Sequence, residues 1–190
     1  VKNKKYTVLT LIYDNDVPFD EKVELLDRSL CYIFPDLKGD EVTFIGSTFW
    51  KYGEKKPYLN HCGVVNGCST YTDDRDVVID THHSEEQLLL SWTELIQRED
   101  PDIIIGYNIF GFDYEFMFRR SLETGCFAKF TSLSRNLKEK CYTKTDDGYK
   151  IEESKIVIAS GEHELKYIKM CGRVQIDLYN YFRRDFNLSS

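Results

Sequence analysis

Two helical periodicities bracket a short, unbroken apolar run between residues 84 and 125, and this order constrains the fold more than any other feature of the chain. Ser84 and Gln87 form a capping-box pattern, Glu85 and Glu86 suit a positive helix start, and Leu88, Leu89, Trp92, Leu95 and Ile96 recur at helical spacing. Glu99-Asp100-Pro101 ends that helix. The run IIIGYN (103–108) is too short for a helix and reads as a buried strand. After a tight turn at Gly111, FDYEFMFRRSLETG reads as a second helix closed by Gly125. Helix–strand–helix in this order is the grammar of an α/β domain.

The flanking segments fill in the sheet. YTVLTLIYD (6–14) is nearly continuously apolar and rich in β-branched and aromatic residues, which predicts a buried central strand. A short helix is expected near Glu21–Leu30 and a turn around Pro35–Gly39. EVTFIGSTFW (41–50), PYLNHCGVV (57–65) and VVIDTH (77–82) read as a strand meander. Residues 130–170 are less regular and read as an exposed loop or hairpin, with Asp147-Gly148 a turn signal. GRVQIDLYNYFRRDF (172–186) reads as a strand running into a helix. The expectation is one α/β domain spanning 1–190, with a mixed β-sheet flanked by helices. The last residues, NLSS, carry no cap or closing strand and suggest a cut within a longer protein.

Composition narrows the functional classes. The 190 residues are 42% hydrophobic and 14% aromatic, enough for a packed core. No apolar run approaches the ~20 residues of a membrane span, and the Lys-rich start lacks the apolar stretch of a signal peptide, so an intracellular protein is expected. Six cysteines form no CxxC pair and read as reduced and structural; His61, His82 and His83 lack the spacing of a zinc site. The net charge of −7 argues against a free-standing duplex DNA binder, which would be basic. It does not exclude an enzyme whose carboxylates hold divalent cations, because the ions reverse the local charge.

Three carboxylates then stand out. Asp14 closes the expected first strand and Asp16 follows it by two, so strand alternation would send both to one face. Asp113 falls in the first turn of the second helix, above the C-terminal edge of the sheet, where α/β folds build their sites. Clustered carboxylates need a cation between them, and a pair of divalent ions can clamp the attacking and leaving oxygens of a phosphodiester. The plainer alternative makes Asp14 and Asp16 a polar turn and Asp113 a helix cap.

DPDIIIGYNIFGFDYEFM (100–117) resembles the second exonuclease motif of family B DNA polymerases, an Asn followed by a Phe-Asp pair after a DPDII-type strand. GRVQIDL (172–178) resembles the segment downstream of it. SEEQLLLSWTELIQRED and EVTFIGSTFWKYGEKKPYL resemble what lies upstream in delta-like and large-DNA-virus members. The resemblance spans nearly the whole chain. It implies an RNase H-like fold, two Mg²⁺ or Mn²⁺ ions, and proofreading removal of mismatched nucleotides from a primer 3′ end within a DNA-directed DNA polymerase. The implied partners are single-stranded DNA, the remaining polymerase domains and a processivity factor, at a nuclear or viral replication site. By position, Asp14, Asp16 and Asp113 become the metal-binding catalytic carboxylates, and Asn108 and Phe112 lie near the bound strand. For Phe112 core packing is the competing role; for Asn108, a turn.

Two departures from the family pattern matter. Its first motif reads Asp-Ile-Glu where this chain has Asp14-Asn15-Asp16, and a shorter acid reaches less far towards a nucleophilic water. Its third motif, Tyr-x-x-x-Asp, has no counterpart here: Tyr142 and Asp146 match the spacing but lie before GRVQIDL in a turn-rich region. A fragment lacking that carboxylate is expected to be inactive by itself. The alternative is a catalytically degenerate exonuclease fold, kept as a scaffold or DNA-guiding module.

Overall fold

A computed structural model describes residues 6–31, 38–69, 76–146, 148–158 and 161–185. The chain divides into two compact units, residues 1–39 and 40–190.

The first unit holds helices α1 (Val8–Tyr13) and α2 (Phe19–Cys31). The first corrects the expected central strand at 6–14. The run forms a short helix because Thr7 caps it: its hydroxyl accepts from the Thr10 amide at 3.2 Å, and the Thr10 hydroxyl accepts from the Thr7 amide at 2.8 Å. Short apolar runs carry no periodicity that separates strand from helix. Here the backbone polar groups are satisfied locally, without a neighbouring strand. Helix α2 covers the span expected at Glu21–Leu30, with Asp20 and Glu21 in its first turn and Arg28 in its last. Lys22 Nζ donates to the Ile12 carbonyl at 2.9 Å and ties the two helices together. The turn expected at Pro35–Gly39 lies largely outside the described residues.

The second unit is a mixed α/β assembly. Strands β1 (Phe44–Phe49), β2 (Leu59–Val65) and β3 (Val77–His82) form one sheet in that order, β1 antiparallel to β2 and β2 parallel to β3. Helix α3 (Glu85–Glu99) follows. Ser84 Oγ accepts from the Gln87 amide at 3.3 Å, while the Gln87 side chain accepts from His83 N at 3.1 Å rather than from Ser84. The helix packs closely on β2 at Gly63, where a Cβ would stand 2.6 Å from Leu88 Cδ1. Asp100, in the left-handed region at φ 47°, ends it.

Strand β4 (Ile103–Gly106) pairs in parallel with β9 (Val174–Asp177), in a second sheet of two strands. The described strands therefore make separate sheets, where the sequence suggested one. Between β4 and β9 come a π-helical turn (Ile109–Asp113), α4 (Tyr114–Glu123) and α5 (Phe127–Phe130). Two hairpins follow, β5–β6 (Thr143–Thr145 and Gly148–Lys150) and β7–β8 (Glu152–Ile158 and Gly161–Tyr167). Helix α6 (Leu178–Asp185) continues directly from β9.

The stretch 130–170 is thus more regular, and in places more deeply buried, than its polar composition suggested. Phe130, Leu133, Cys141, Ile151, Ile168 and Met170 join Leu88, Leu89, Trp92, Leu95 and Phe118 in the core. Three side-chain links lock the frame. Trp92 Nε1 donates to Ser47 Oγ at 3.2 Å, across α3 and β1. Arg120 of α4 grips Glu85 of α3. Arg135 donates to Asp100 and Asp102 at 2.8 Å each, and Arg173 to Asp100 at 2.8 Å, joining the end of α3 to the starts of β4 and β9. No helix among the described residues is long and apolar enough to cross a membrane.

Candidate active site

The turn between β4 and α4 carries three of the five residues singled out in the sequence. β4 ends at Gly106, and the chain reverses at Asn108, which adopts the left-handed conformation at φ 61°. Gly111 N and Phe112 N both donate to the Asn108 carbonyl, at 3.0 and 3.1 Å. The Asn108 side chain folds over Gly111, where any Cβ would stand 2.3 Å from Asn108 Oδ1. The turn role considered for Asn108 is therefore real. Asn is among the few residues that tolerate this backbone.

Phe112 does not pack into the core. It is 57% exposed and stacks on Phe116 one turn along, with ring centroids 5.2 Å apart and planes 16° apart. An exposed ring on a rigid neighbour is a ready platform for a base. Asp113 begins α4 without capping it through its side chain. Its carboxyl is pushed above the usual carboxylate range by partial burial, with the charge of Asp177 adding to the effect. Beside it, burial and the same acidic neighbours push the Tyr114 phenol up, and among the described residues the Tyr114 hydroxyl has no hydrogen-bond partner.

Phe112, Asp113, Tyr114 and Phe116 line one side of a groove of about 640 Å³. Its other walls include β1 and β4, each of which pairs with a single strand among the described residues. Phe44, Ile103 and Ile105 leave much of their apolar surface exposed there. The groove runs along β4 from Pro101 to Gly106, and the carboxylate and aromatic stack line it at the turn that follows the C-terminal end of that strand, the edge at which α/β sheets bind ligands.

Asp14 and Asp16 are placed differently. Asp14 is the C-cap of α1, and its Oδ1 accepts from the Asp16 backbone amide at 3.0 Å, an Asx turn. The alternation that would have aimed both carboxylates one way belongs to a strand, and this segment is not one. Both residues belong to the first unit, Asp113 to the second. Among the described residues no group of three or more His, Cys, Asp or Glu is gathered closely enough to hold a metal ion. Within each unit by itself, the described donors do not amount to a complete two-ion site.

Sequence reasoning missed Asp177. It sits at the C-terminal end of β9, opposite Gly106 of β4, and is 4% exposed. Its Oδ1 accepts from the Asn108 amide at 2.8 Å and its Oδ2 from the Phe110 amide at 3.0 Å. The available signal was an acid closing the short strand VQID, in GRVQIDL.

Residues 19–190 match the exonuclease domain of DNA polymerase family B. The chain is 40% identical over 196 residues to a DNA polymerase of Phaeocystis pouchetii virus, covering 99% of this chain and 19% of the relative. It is 36% identical to a DNA polymerase of Pyramimonas orientalis virus, covering 100% of this chain and 15% of the relative. Against the DNA polymerase delta catalytic subunit of Candida albicans, identity is 29%, covering 83% of this chain and 14% of the relative. The chain thus spans less than a fifth of each of these relatives. Asn108, Phe112, Asp113 and Asp177 fall within the matched span; Asp14 and Asp16 precede it. This chain belongs to the exonuclease domain family of the family B DNA polymerases.

Proposed function

We propose that the chain is the 3′→5′ exonuclease part of a longer DNA-directed DNA polymerase and acts on the single-stranded 3′ end of a primer. The observation that carries this reading is Asp113 in the lining of an apolar groove beside the exposed Phe112–Phe116 stack, within the span that matches the family. In this assignment Phe112 stacks on a base of the frayed strand and Asn108 contacts it. Asp113 provides a carboxylate oxygen for Mg²⁺ or Mn²⁺. Asp14 and Asp16 are assigned as further ligands on the sequence resemblance alone. A mismatched end unpairs more cheaply than a matched one, which would give the selectivity. The other polymerase domains, and a processivity factor, would hold the duplex, in keeping with a net charge of −7 that is poorly suited to gripping phosphates unaided.

One observation favours a second reading, a scaffold or DNA-guiding module with lost catalysis. Asp14-Asn15-Asp16 stands where the family has Asp-Ile-Glu, and the shorter acid reaches less far towards a nucleophilic water. Comparing the complete polymerase with its Asp113→Ala variant on a primer with a mismatched 3′ end decides between them. Under the exonuclease reading the wild type trims the mismatch and the variant is slower by roughly 10²-fold or more, since even a small misplacement of a catalytic group costs about that much. No trimming by either assigns the domain to the scaffold class, whereas equal trimming by both removes Asp113 from the catalytic residues.

A further inference from the structure

Resting on the exonuclease reading, we infer that Asp177 is the positioning residue that holds the Asn108–Asp113 turn in the shape that presents Phe112 and Asp113 to the DNA. Four N–H donors converge on its buried carboxylate. Oδ1 accepts from Asn108 N at 2.8 Å and Tyr179 N at 3.0 Å; Oδ2 accepts from Phe110 N at 3.0 Å and Asn180 Nδ2 at 3.1 Å. Each oxygen thus takes one bond from the turn and one from the start of α6. Parallel pairing of Gly106 with Asp177 sets the carboxylate beside the point where the chain leaves β4.

The turn needs such a clamp. Its polypeptide backbone runs through a left-handed Asn108 and a π-helical turn, neither of which an isolated segment would favour. Asp177 satisfies two amides that the turn itself leaves without a carbonyl acceptor, and a buried unsatisfied amide is costly. With both oxygens committed to N–H donors, Asp177 is better suited to orienting the turn than to binding a cation. The side-chain chemistry is specific. An amide at this position would direct its NH₂ at backbone N–H donors whichever way it is turned, at Asn108 N and Tyr179 N one way and at Phe110 N the other, so Asn cannot replace Asp.

The test is Asp177→Asn in the complete polymerase, with two readouts. Hydrogen exchange of the peptide spanning 107–113 should accelerate at least about tenfold while α3 and β4 keep their protection. Exonuclease kcat on a single-stranded oligonucleotide should fall roughly 10- to 100-fold, with KM changing less than about threefold. Unchanged exchange in 107–113 overturns the inference, as does faster exchange with unaltered kcat. Should Asp177→Asn lose protection throughout, Asn180→Ala decides instead: it removes one donor to Oδ2, and faster exchange confined to 107–113 supports the clamp while no change refutes it. Wild-type polymerase that digests no single strand would defeat the exonuclease reading itself, with the exchange readout still reporting on Asp177.

Discussion

Arg120 and Glu85 form a two-point ion pair between α4 and α3, Nε to Oε1 at 2.7 Å and Nη2 to Oε2 at 2.6 Å, with both side chains almost wholly buried. Glu85 Oε1 also accepts from the Val42 amide at 2.8 Å, so one carboxylate gathers α3, α4 and the approach to β1. Since α4 carries Asp113 at its start, this pair fixes the helix on which the site is built.

A buried charge left uncompensated costs about 3–5 kcal/mol. Arg120 also pairs with the partly exposed Glu123, so Glu85→Gln should lower the stability of the second unit in urea unfolding by less than that amount. The double variant Glu85→Leu with Arg120→Met should recover part of the loss, because a buried pair replaced by apolar side chains is often neutral while the Val42 amide loses its acceptor. If the double variant is no more stable than the single one, the pair's contribution lies elsewhere.

How much of this was legible in the sequence depends on which physical signal each element carries. Helix α3 announces itself through Ser84, the acidic first turn and an apolar stripe, and β4 through three isoleucines between a Pro and a Gly-Tyr-Asn turn. The turn that carries Asn108 and Phe112 was legible because a short motif fixes a local conformation. Residues 6–14 were misread because β-branched composition outweighed a Thr7–Thr10 cap that is equally local. Asp177 was missed for a different reason: its donors from the turn are 69 and 67 residues away, and nothing in GRVQIDL shows that β9 lies beside β4.

The Arg135 cluster gives a pH dependence with a definite sign. Hydrogen bonding from Arg135, together with Arg173, holds the Asp100 carboxyl below its ordinary value, more than offsetting a smaller desolvation effect. A carboxylate depressed in the folded state contributes stability that is present above its unfolded pKa and is lost as pH falls through the folded one. Arg135→Gln should thus unfold at lower urea than wild type at about pH 7, and the gap should narrow as pH drops below about 4. A gap that stays constant through that window would show that Arg135 acts through its carbonyl contacts to Asp100 and Gly172 instead.

Phe112 separates substrate binding from folding. Because its ring is largely in solvent, Phe112→Ala removes little buried surface, and the urea midpoint should shift by less than about 1 kcal/mol equivalent. Its stack on Phe116 instead makes it a platform for one base, worth about 1–3 kcal/mol of single-strand affinity. Phe112→Ala in the complete polymerase should therefore raise the exonuclease KM for a single-stranded oligonucleotide by about 5- to 150-fold, with a smaller effect on kcat. Phe112→Tyr keeps the π-face and should restore most of the affinity, whereas Phe112→Leu keeps apolar bulk and should not. Equal recovery by Tyr and Leu would mean that the side chain props the turn rather than stacking on DNA.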